Sequence, residues 1–149
     1  MTPLQGMARL LALLFHHFAA EAEATLGEQE GRALVARAIS RLGEERGRRI
    51  RERVDADGQA PTLDNLYKYY DLPIGEGWES TVERTDTGYV ETVTYCPLAE
   101  VWRELGAPER DMLYCDIDMA IIRGYNPDIK IERCESLLTG QGRCVYKFS

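Results

Sequence analysis

The stretch ESTVERTDTGYVETVTYCPLAEVWREL, residues 79–105, decides the fold. Two of its runs, Glu79–Arg84 and Tyr89–Tyr95, are rich in Thr, Val and Tyr, and the turn residues 86–88 lie between them, which predicts a β-hairpin. Pro97 follows at once and suits the first turn of a helix, because that position needs no backbone N–H. The stretch therefore predicts a hairpin that leads directly into a helix ending near its last residue.

A second hairpin is predicted at the C-terminal end of the sequence. Its strands are Ile129–Leu138 and Arg143–Phe148, and Gly140 and Gly142 lie in the turn between them. A helix from Pro108 to about Arg123 is predicted between the two hairpins, after the helix that begins at Pro97. Because helices and hairpins come in blocks and not as alternating single elements, the predicted fold class is α+β with an antiparallel sheet.

The N-terminal part, residues 1–70, is predicted to be helical. Three helices are expected, from Thr2–Pro3 to about Ala24, from about Glu28 to Val54 and from Leu63 to Tyr70. The core-facing stripe of the first helix is expected to consist of apolar residues at helical spacing: Leu4, Met7, Leu11, Leu14, Phe18 and Ala22. We expect these helices to pack on the sheet of the mixed α+β part, residues 78–149, within a single domain over 1–149.

The first helix is apolar on more than one side. Leu10 and Leu13 lie outside the predicted stripe and widen it. An apolar excess of this kind predicts a homodimer that buries these two leucines and their neighbours.

The acidic composition argues against two classes of partner. The chain has a formal net charge of -7, whereas nucleic acid and anionic membrane surfaces favour basic proteins. The apolar run Leu10–Phe18 is too short to span a bilayer, and its flanks give only weak signal-peptide cues. We therefore expect no nucleic-acid or membrane binding and a cytoplasmic location.

The cysteines at positions 96, 115, 134 and 144 are interpreted as thiols. Their spacing contains no C-x-x-C pair of the zinc-knuckle type, and a cytoplasmic protein keeps its thiols reduced. In a secreted chain the same four residues could instead form two disulfides. We predict neither a metal site nor a cofactor, and we interpret Cys134 as structural.

Cys96 has the strongest local argument for reactivity. It ends the strand before Pro97 and so occupies the N-cap of the following helix, where unpaired N–H groups and the helix dipole stabilise a thiolate. This position predicts a lowered pKa and the most reactive thiol of the chain. A buried, inert cysteine at a tight corner is the alternative.

Cys115 and Asp118 are predicted to share one face of the helix that starts at Pro108. At 100° per residue that face also carries Asp111. A thiol between two carboxylates has a raised pKa, so Asp118 is the candidate general base there. The alternative is a solvated acidic face with an isolated cysteine.

The last hairpin supplies further candidates. Cys144 alternates with Tyr146 and therefore shares its strand face. If the turn is centred on residues 140–141, Arg133 and Glu135 lie on the same side of the neighbouring strand. Inward polar groups beside a cysteine predict either a buried ion pair or a ligand site.

His17 and Arg53 complete the candidate site. His17 lies four residues before Glu21, a spacing that orients an imidazole, although a helix-surface histidine is the alternative. Arg46, Arg49 and Arg53 continue the inner stripe of the second helix, where they could clamp a carboxylate or pair with the many acids of the chain.

From Tyr95 to Phe148 the sequence resembles the L-2-amino-thiazoline-4-carboxylic acid hydrolase family. The matching elements are Tyr95-Cys96-Pro97 with Trp102, Tyr114-Cys115-Asp116-Ile117-Asp118, Gly124-Tyr125-Asn126-Pro127 and Gly140-Gln141-Gly142-Arg143-Cys144. The pattern is also similar to small-molecule-binding domains related to vinyl-reductase proteins. Cys96, Cys115, Asp118 and Cys144 are the residues carried over by matched position.

The resemblance implies hydrolytic opening of a cyclic, amidine-like C=N group, which gives a carbamoyl product. A Cys nucleophile, a carboxylate that handles protons at nitrogen and an Arg for the carboxylate of a small heterocyclic substrate would suit that chemistry. Such families also serve in specialised biosynthesis on other heterocycles. The alternative is a non-catalytic domain that holds a small ligand or a metal.

Overall fold

The structure, a computed structural model, describes the backbone of residues 1–149 and every side chain except that of Pro108. The elements follow in the order α1 (Pro3–Leu26), α2 (Glu28–Ala56), α3 (Leu63–Lys68), β1 (Glu79–Arg84), β2 (Tyr89–Tyr95), α4 (Pro97–Leu105), α5 (Pro108–Asp111), α6 (Ile117–Tyr125), β3 (Ile131–Glu135) and β4 (Cys144–Phe148). Short 3-10 helices cover Ile74–Glu76, Met112–Asp116 and Leu137–Thr139. The predicted α+β class is confirmed, with helices filling the N-terminal part.

The two hairpins join into one four-stranded antiparallel sheet of order β1-β2-β4-β3. The second strand of each hairpin lies in the centre, so that Tyr89 is opposite Phe148 and Val93 is opposite Cys144. Gly88 is required at this junction, because a Cβ there would collide with the carbonyl oxygen of Phe148. The pairing brings the candidate residues of β4 beside the inward face of β2.

Helices α2 and α6 pack backbone to backbone. A Cβ on Gly43 would collide with that of Ala120, and one on Gly47 would collide with the carbonyl oxygen of Ile121. Ile50 and Val54 continue this buried face of α2. The close crossing holds the start of α6 against the middle of α2, and both contribute to the site described below.

The predicted core stripe of α1 is wrong. The buried residues are Ala8, Ala12, Phe15 and Ala19, whereas Met7, Leu14 and Phe18 are 65%, 54% and 67% exposed. The small alanines let α1 approach α4 closely, and the buried Trp102 donates its indole N–H to the Ala12 carbonyl at 3.0 Å. Leu10 and Leu13 are exposed too, and the homodimer remains a prediction.

The predicted helix from Pro108 to Arg123 is interrupted. A 3-10 segment, Met112–Asp116, separates α5 from α6. A 3-10 turn has about three residues and not 3.6, so the predicted common face of Asp111, Cys115 and Asp118 is broken. No helix among the described residues has the length and apolar character needed to cross a membrane.

Candidate functional site

A cavity of about 1100 Å³ lies between the helices and the inward face of the sheet. Of the residues predicted to be functional, those in its lining are Cys96, Cys115, Asp118, Cys144 and Tyr146. They come from the start of α4, the 3-10 segment 112–116, the first turn of α6 and strand β4. The fold therefore brings together side chains that lie far apart in the sequence.

Cys96 occupies the N-cap of α4, as predicted. The indole N–H of Trp78 donates to its sulfur at 3.2 Å. Burial nevertheless raises the pKa of the Cys96 thiol, and the N–H groups of Ala99, Trp78 and Leu98 offset this only in part. The predicted lowering of its pKa is wrong, because the strand–helix corner is enclosed by protein and an enclosed thiolate loses its hydration.

Cys115 and Asp118 lie close enough to influence each other. Burial raises the pKa of Cys115 well above its ordinary value and the charge of Asp118 adds to this, whereas Arg133 opposes it. Burial also raises the pKa of Asp118, against the opposing effects of the Tyr146 hydroxyl and of Arg46. Asp118 is thus a carboxyl group that holds its proton at higher pH than usual, as a general acid or base requires.

Cys144 is buried on the central strand β4. The backbone N–H of Leu137 donates to its sulfur at 3.3 Å. Tyr146, two residues later, faces the same cavity, and burial followed by the charge of Asp118 raises the pKa of its hydroxyl. The predicted alternation of β4 is therefore confirmed.

Arg133 and Glu135 are not found in the cavity lining. Arg133 lies opposite Tyr146, but a register shift then places Glu135 opposite Val145. Glu135 turns outward to Arg143, with 2.7 Å between the carboxylate and Nε, and so does not line the cavity. Arg133 donates to Asp116 at 3.1 Å, and its other terminal nitrogen, Nη1, is buried without a hydrogen-bond partner among the described side chains.

Arg46, and not Arg53, is the arginine of α2 that reaches the cavity. Its guanidinium holds the carboxylate of Asp71 through two nitrogens, at 2.6 and 2.8 Å, and lies 5.5 Å above the Tyr70 ring. Arg53, the arginine predicted for this role, is exposed and absent from the cavity lining, and it donates to the Tyr69 carbonyl. The buried residues of α2 at that turn are Ile50 and Val54.

His17, the predicted catalytic histidine, is exposed and absent from the cavity lining. Its neighbour His16 instead contacts the fully buried Asp111, with 2.7 Å between Nδ1 and the carboxylate. A buried carboxylate requires a partner, and the break after α5 places Asp111 beside His16 of α1.

Glu91 is the main functional candidate that sequence reasoning missed. It lies in the cavity lining on β2, directly opposite Tyr146. Burial and then the charge of Asp118 raise the pKa of its carboxyl group, and the Tyr67 hydroxyl donates to it at 3.3 Å. The available signal was its alternation with Tyr89 and Val93, which places an acid on the apolar face of the strand.

The ionisable groups of the cavity do not form a metal centre by themselves. Throughout the described side chains, no three His, Cys, Asp or Glu residues are grouped closely enough to hold a metal ion. The lining instead combines thiols, carboxyl groups and tyrosine hydroxyls with extensive apolar surface. Such a lining can enclose an organic molecule and exchange protons with it.

Comparison with known proteins gives a family match over most of the chain. The family model for L-2-amino-thiazoline-4-carboxylic acid hydrolase matches residues 7–148, which include α1 from Met7 onward and every cavity residue named above. No curated protein matches the chain. Since the matched region covers nearly the whole sequence, the chain belongs to the L-2-amino-thiazoline-4-carboxylic acid hydrolase family.

Proposed function

We propose that the protein hydrolyses a small heterocyclic carboxylate by opening a ring at an amidine-like C=N group. The observation that carries the proposal is the meeting of Asp118 with three thiols from separate chain segments in one cavity. Membership of a hydrolase family supports the reaction class. The acid–base character of Asp118 supports the chemistry.

The proposed reaction adds water to the carbon of the C=N group. The water oxygen bonds to that carbon, and Asp118 takes one water proton and passes it to the ring nitrogen as the double bond becomes single. The bond between the carbon and the ring heteroatom then breaks as the hydroxyl of the adduct becomes a carbonyl, and Asp118 carries the hydroxyl proton to the leaving heteroatom, so that a carbamoyl product remains. Asp118 thus acts first as a base and then as an acid.

The thiols support a water mechanism better than a thiolate mechanism. Cys96 and Cys115 both have pKa values raised by burial, so each is a neutral thiol at pH 7 and a weak nucleophile. Cys144 receives the Leu137 N–H on its sulfur and is the best candidate if a covalent step occurs. No histidine of the described structure lies in the cavity lining to deprotonate these thiols.

Arg46 supports binding of a substrate carboxylate. It lies in the lining together with Asp71, its bidentate partner. A substrate carboxylate offers the same two oxygens and can compete with Asp71 for the guanidinium. We propose Arg46 for this role in place of the exposed Arg53.

The test is turnover of 2-amino-thiazoline-4-carboxylate by the wild-type protein and by Asp118→Asn, with Asp116→Asn as the matched control at a half-exposed side chain. We expect Asp118→Asn to lower kcat by about 100-fold or more, with Asp116→Asn close to wild type. Full activity of Asp118→Asn would refute the role of Asp118. Loss of activity in Cys144→Ser alone would move the chemistry to a covalent thiol mechanism.

A non-catalytic ligand-binding role is the second candidate, and the apolar lining with protonated thiols favours it. Binding of the same compound in calorimetry without any turnover would support that alternative.

A further inference from the structure

We propose that the natural substrate carries a long apolar substituent beside its reactive ring. The ring would lie among the polar groups around Asp118, and the substituent would fill the apolar remainder of the cavity. The identity of the reactive end rests on the proposed function, whereas the apolar substituent is inferred from the cavity itself.

The size of the cavity is the first argument. Its volume of about 1100 Å³ lies just above the range that holds drug-sized ligands, roughly 300–1,000 Å³. A single five-membered ring with one carboxylate would leave most of this space unfilled. Protein interiors pack too densely to keep large apolar voids without a ligand, so the volume indicates a larger occupant.

The distribution of polar groups is the second argument. The groups whose pKa values respond to the charge of Asp118 are Tyr70, Glu91, Tyr114, Cys115 and Tyr146, and Glu91 and Tyr146 lie opposite each other at the centre of the sheet. The walls from α1 and α4 are formed by apolar side chains, among them Leu4, Ala8, Leu98 and Trp102. The cavity therefore has a polar side around Asp118 and an apolar side on α1 and α4, and Tyr114 lies where they meet, since its ring packs against Trp102.

The position of α1 residues at the cavity edge is the third argument. Met7 and Leu11 belong to the lining, yet they are 65% and 41% exposed to solvent. They begin a row at helical spacing that Leu14 and Phe18 continue along the outside of α1. A small polar substrate gains nothing from an apolar edge, whereas an apolar chain would cover it.

The test measures binding of straight-chain carboxylates, from butanoate to dodecanoate, by isothermal titration calorimetry. We expect Kd to fall by about threefold to fourfold for each added methylene, which is the fold-change expected for burial of a CH₂ group, until the chain fills the cavity. Equal Kd values over the whole series would overturn the proposal.

Cavity-filling variants locate the bound chain. Ala8→Phe places a ring in the apolar region, and Leu10→Phe makes the same change at an exposed position of α1 outside the lining. In Ala8→Phe, Kd should no longer fall with added methylenes for the longer carboxylates of the series. In Leu10→Phe, the dependence of Kd on chain length should stay as in the wild type. If Ala8→Phe does not fold, Leu11→Gln at the cavity edge is compared with Leu14→Gln, and only the first should weaken dodecanoate binding.

The outcomes separate this proposal from the proposed function. Chain-length-dependent binding without turnover of any amidine would retain the apolar substituent and refute the hydrolase. Turnover of the unsubstituted ring with flat carboxylate binding would retain the hydrolase and refute the substituent. Binding weakened by Leu14→Gln and not by Ala8→Phe would place the chain on the outer face of α1, and would overturn the proposal.

Discussion

The charge of Asp118 on α6 raises the pKa of Glu91 on β2, because the two carboxyl groups face the same enclosed cavity. Tyr146 lies opposite Glu91 in the sheet. Its hydroxyl is also close enough to Asp118 to oppose the rise in the pKa of Asp118. Two like charges in a poorly hydrated space cannot both form freely. Burial and mutual repulsion therefore favour the protonated forms of Asp118 and Glu91.

The first prediction concerns this pair. In Asp118→Asn the pKa of Glu91 should fall, because a neighbouring negative charge is removed while the burial of Glu91 stays the same. Carboxyl ¹³C chemical shifts followed against pH measure the change. Asp116→Asn is the matched control, and an unchanged Glu91 pKa in Asp118→Asn would show that the two groups are not coupled.

The second prediction concerns stability against pH. Because the folded-state pKa of Asp118 is raised above its ordinary value of 3.8, the folded state binds more protons than the unfolded state between these two pKa values. Stability is therefore lost as the pH rises through that window. Asp118→Asn should be more stable than wild type at pH 7, by about 1.4 kcal/mol for each unit by which the pKa is raised.

Urea unfolding of both proteins from pH 3 to pH 8 measures the difference, which should vanish at the acidic end. The exposed Asp128 provides the control variant Asp128→Asn. A stability difference that is constant over this whole range would show that it has another origin than ionisation.

The third prediction ranks the thiols. Cys134 is exposed and should react first with iodoacetamide at pH 7.5. Cys96 and Cys115 should react far more slowly, because both are enclosed and have raised pKa values. Site-resolved mass spectrometry gives the order, and fastest labelling at Cys96 would restore the interpretation drawn from its N-cap position.

The fourth prediction concerns the α2–α6 crossing. Gly47→Ala should destabilise the protein by about 1–3 kcal/mol or more, since the new methyl group would meet the Ile121 backbone. Gly6→Ala is the matched control on a helix, with open space around its Cβ, and it should be neutral or stabilising by up to about 1 kcal/mol. Thermal unfolding monitored by circular dichroism compares the two. Equal effects would show that the crossing tolerates a wider separation.

The fifth prediction is the homodimer. The exposed leucines of α1, with Leu10 61% exposed, should form the contact between two copies. Sedimentation equilibrium at tens of micromolar should give a dimer mass, and Leu10→Gln combined with Leu13→Gln should give a monomer. A wild-type monomer under these conditions would contradict the prediction.

Local sequence patterns determined the type of most elements and the limits of β1, β2 and α4. Pro97 defined the start of α4, and the Thr-, Val- and Tyr-rich runs defined β1 and β2. Alternation along β4 placed Cys144 and Tyr146 on one face, and both lie in the cavity lining. These features depend on residues within a few positions of each other, which is why a single sequence predicts them.

Tertiary structure decided which of these side chains meet. The sequence predicted a leucine-rich core face for α1, whereas the structure packs the alanine face against Trp102. It gave no sign that a 3-10 segment would turn Asp111 to His16. A bulge in one strand likewise turned Glu135 outward. Each outcome depends on the close packing of distant segments, which short-range periodicity does not record.

The candidate site shows the same contrast between sequence and tertiary structure. The sequence alone indicated Cys96, Cys115, Asp118 and Cys144 as candidate site residues, by their positions in the family pattern. The pairing of β2 with β4 and the glycine crossing of α2 with α6 added Glu91 and Arg46 to them. Burial within that assembly then raised the pKa of the Cys96 thiol instead of lowering it, because enclosure by the whole fold outweighs the local effect of a helix N-terminus.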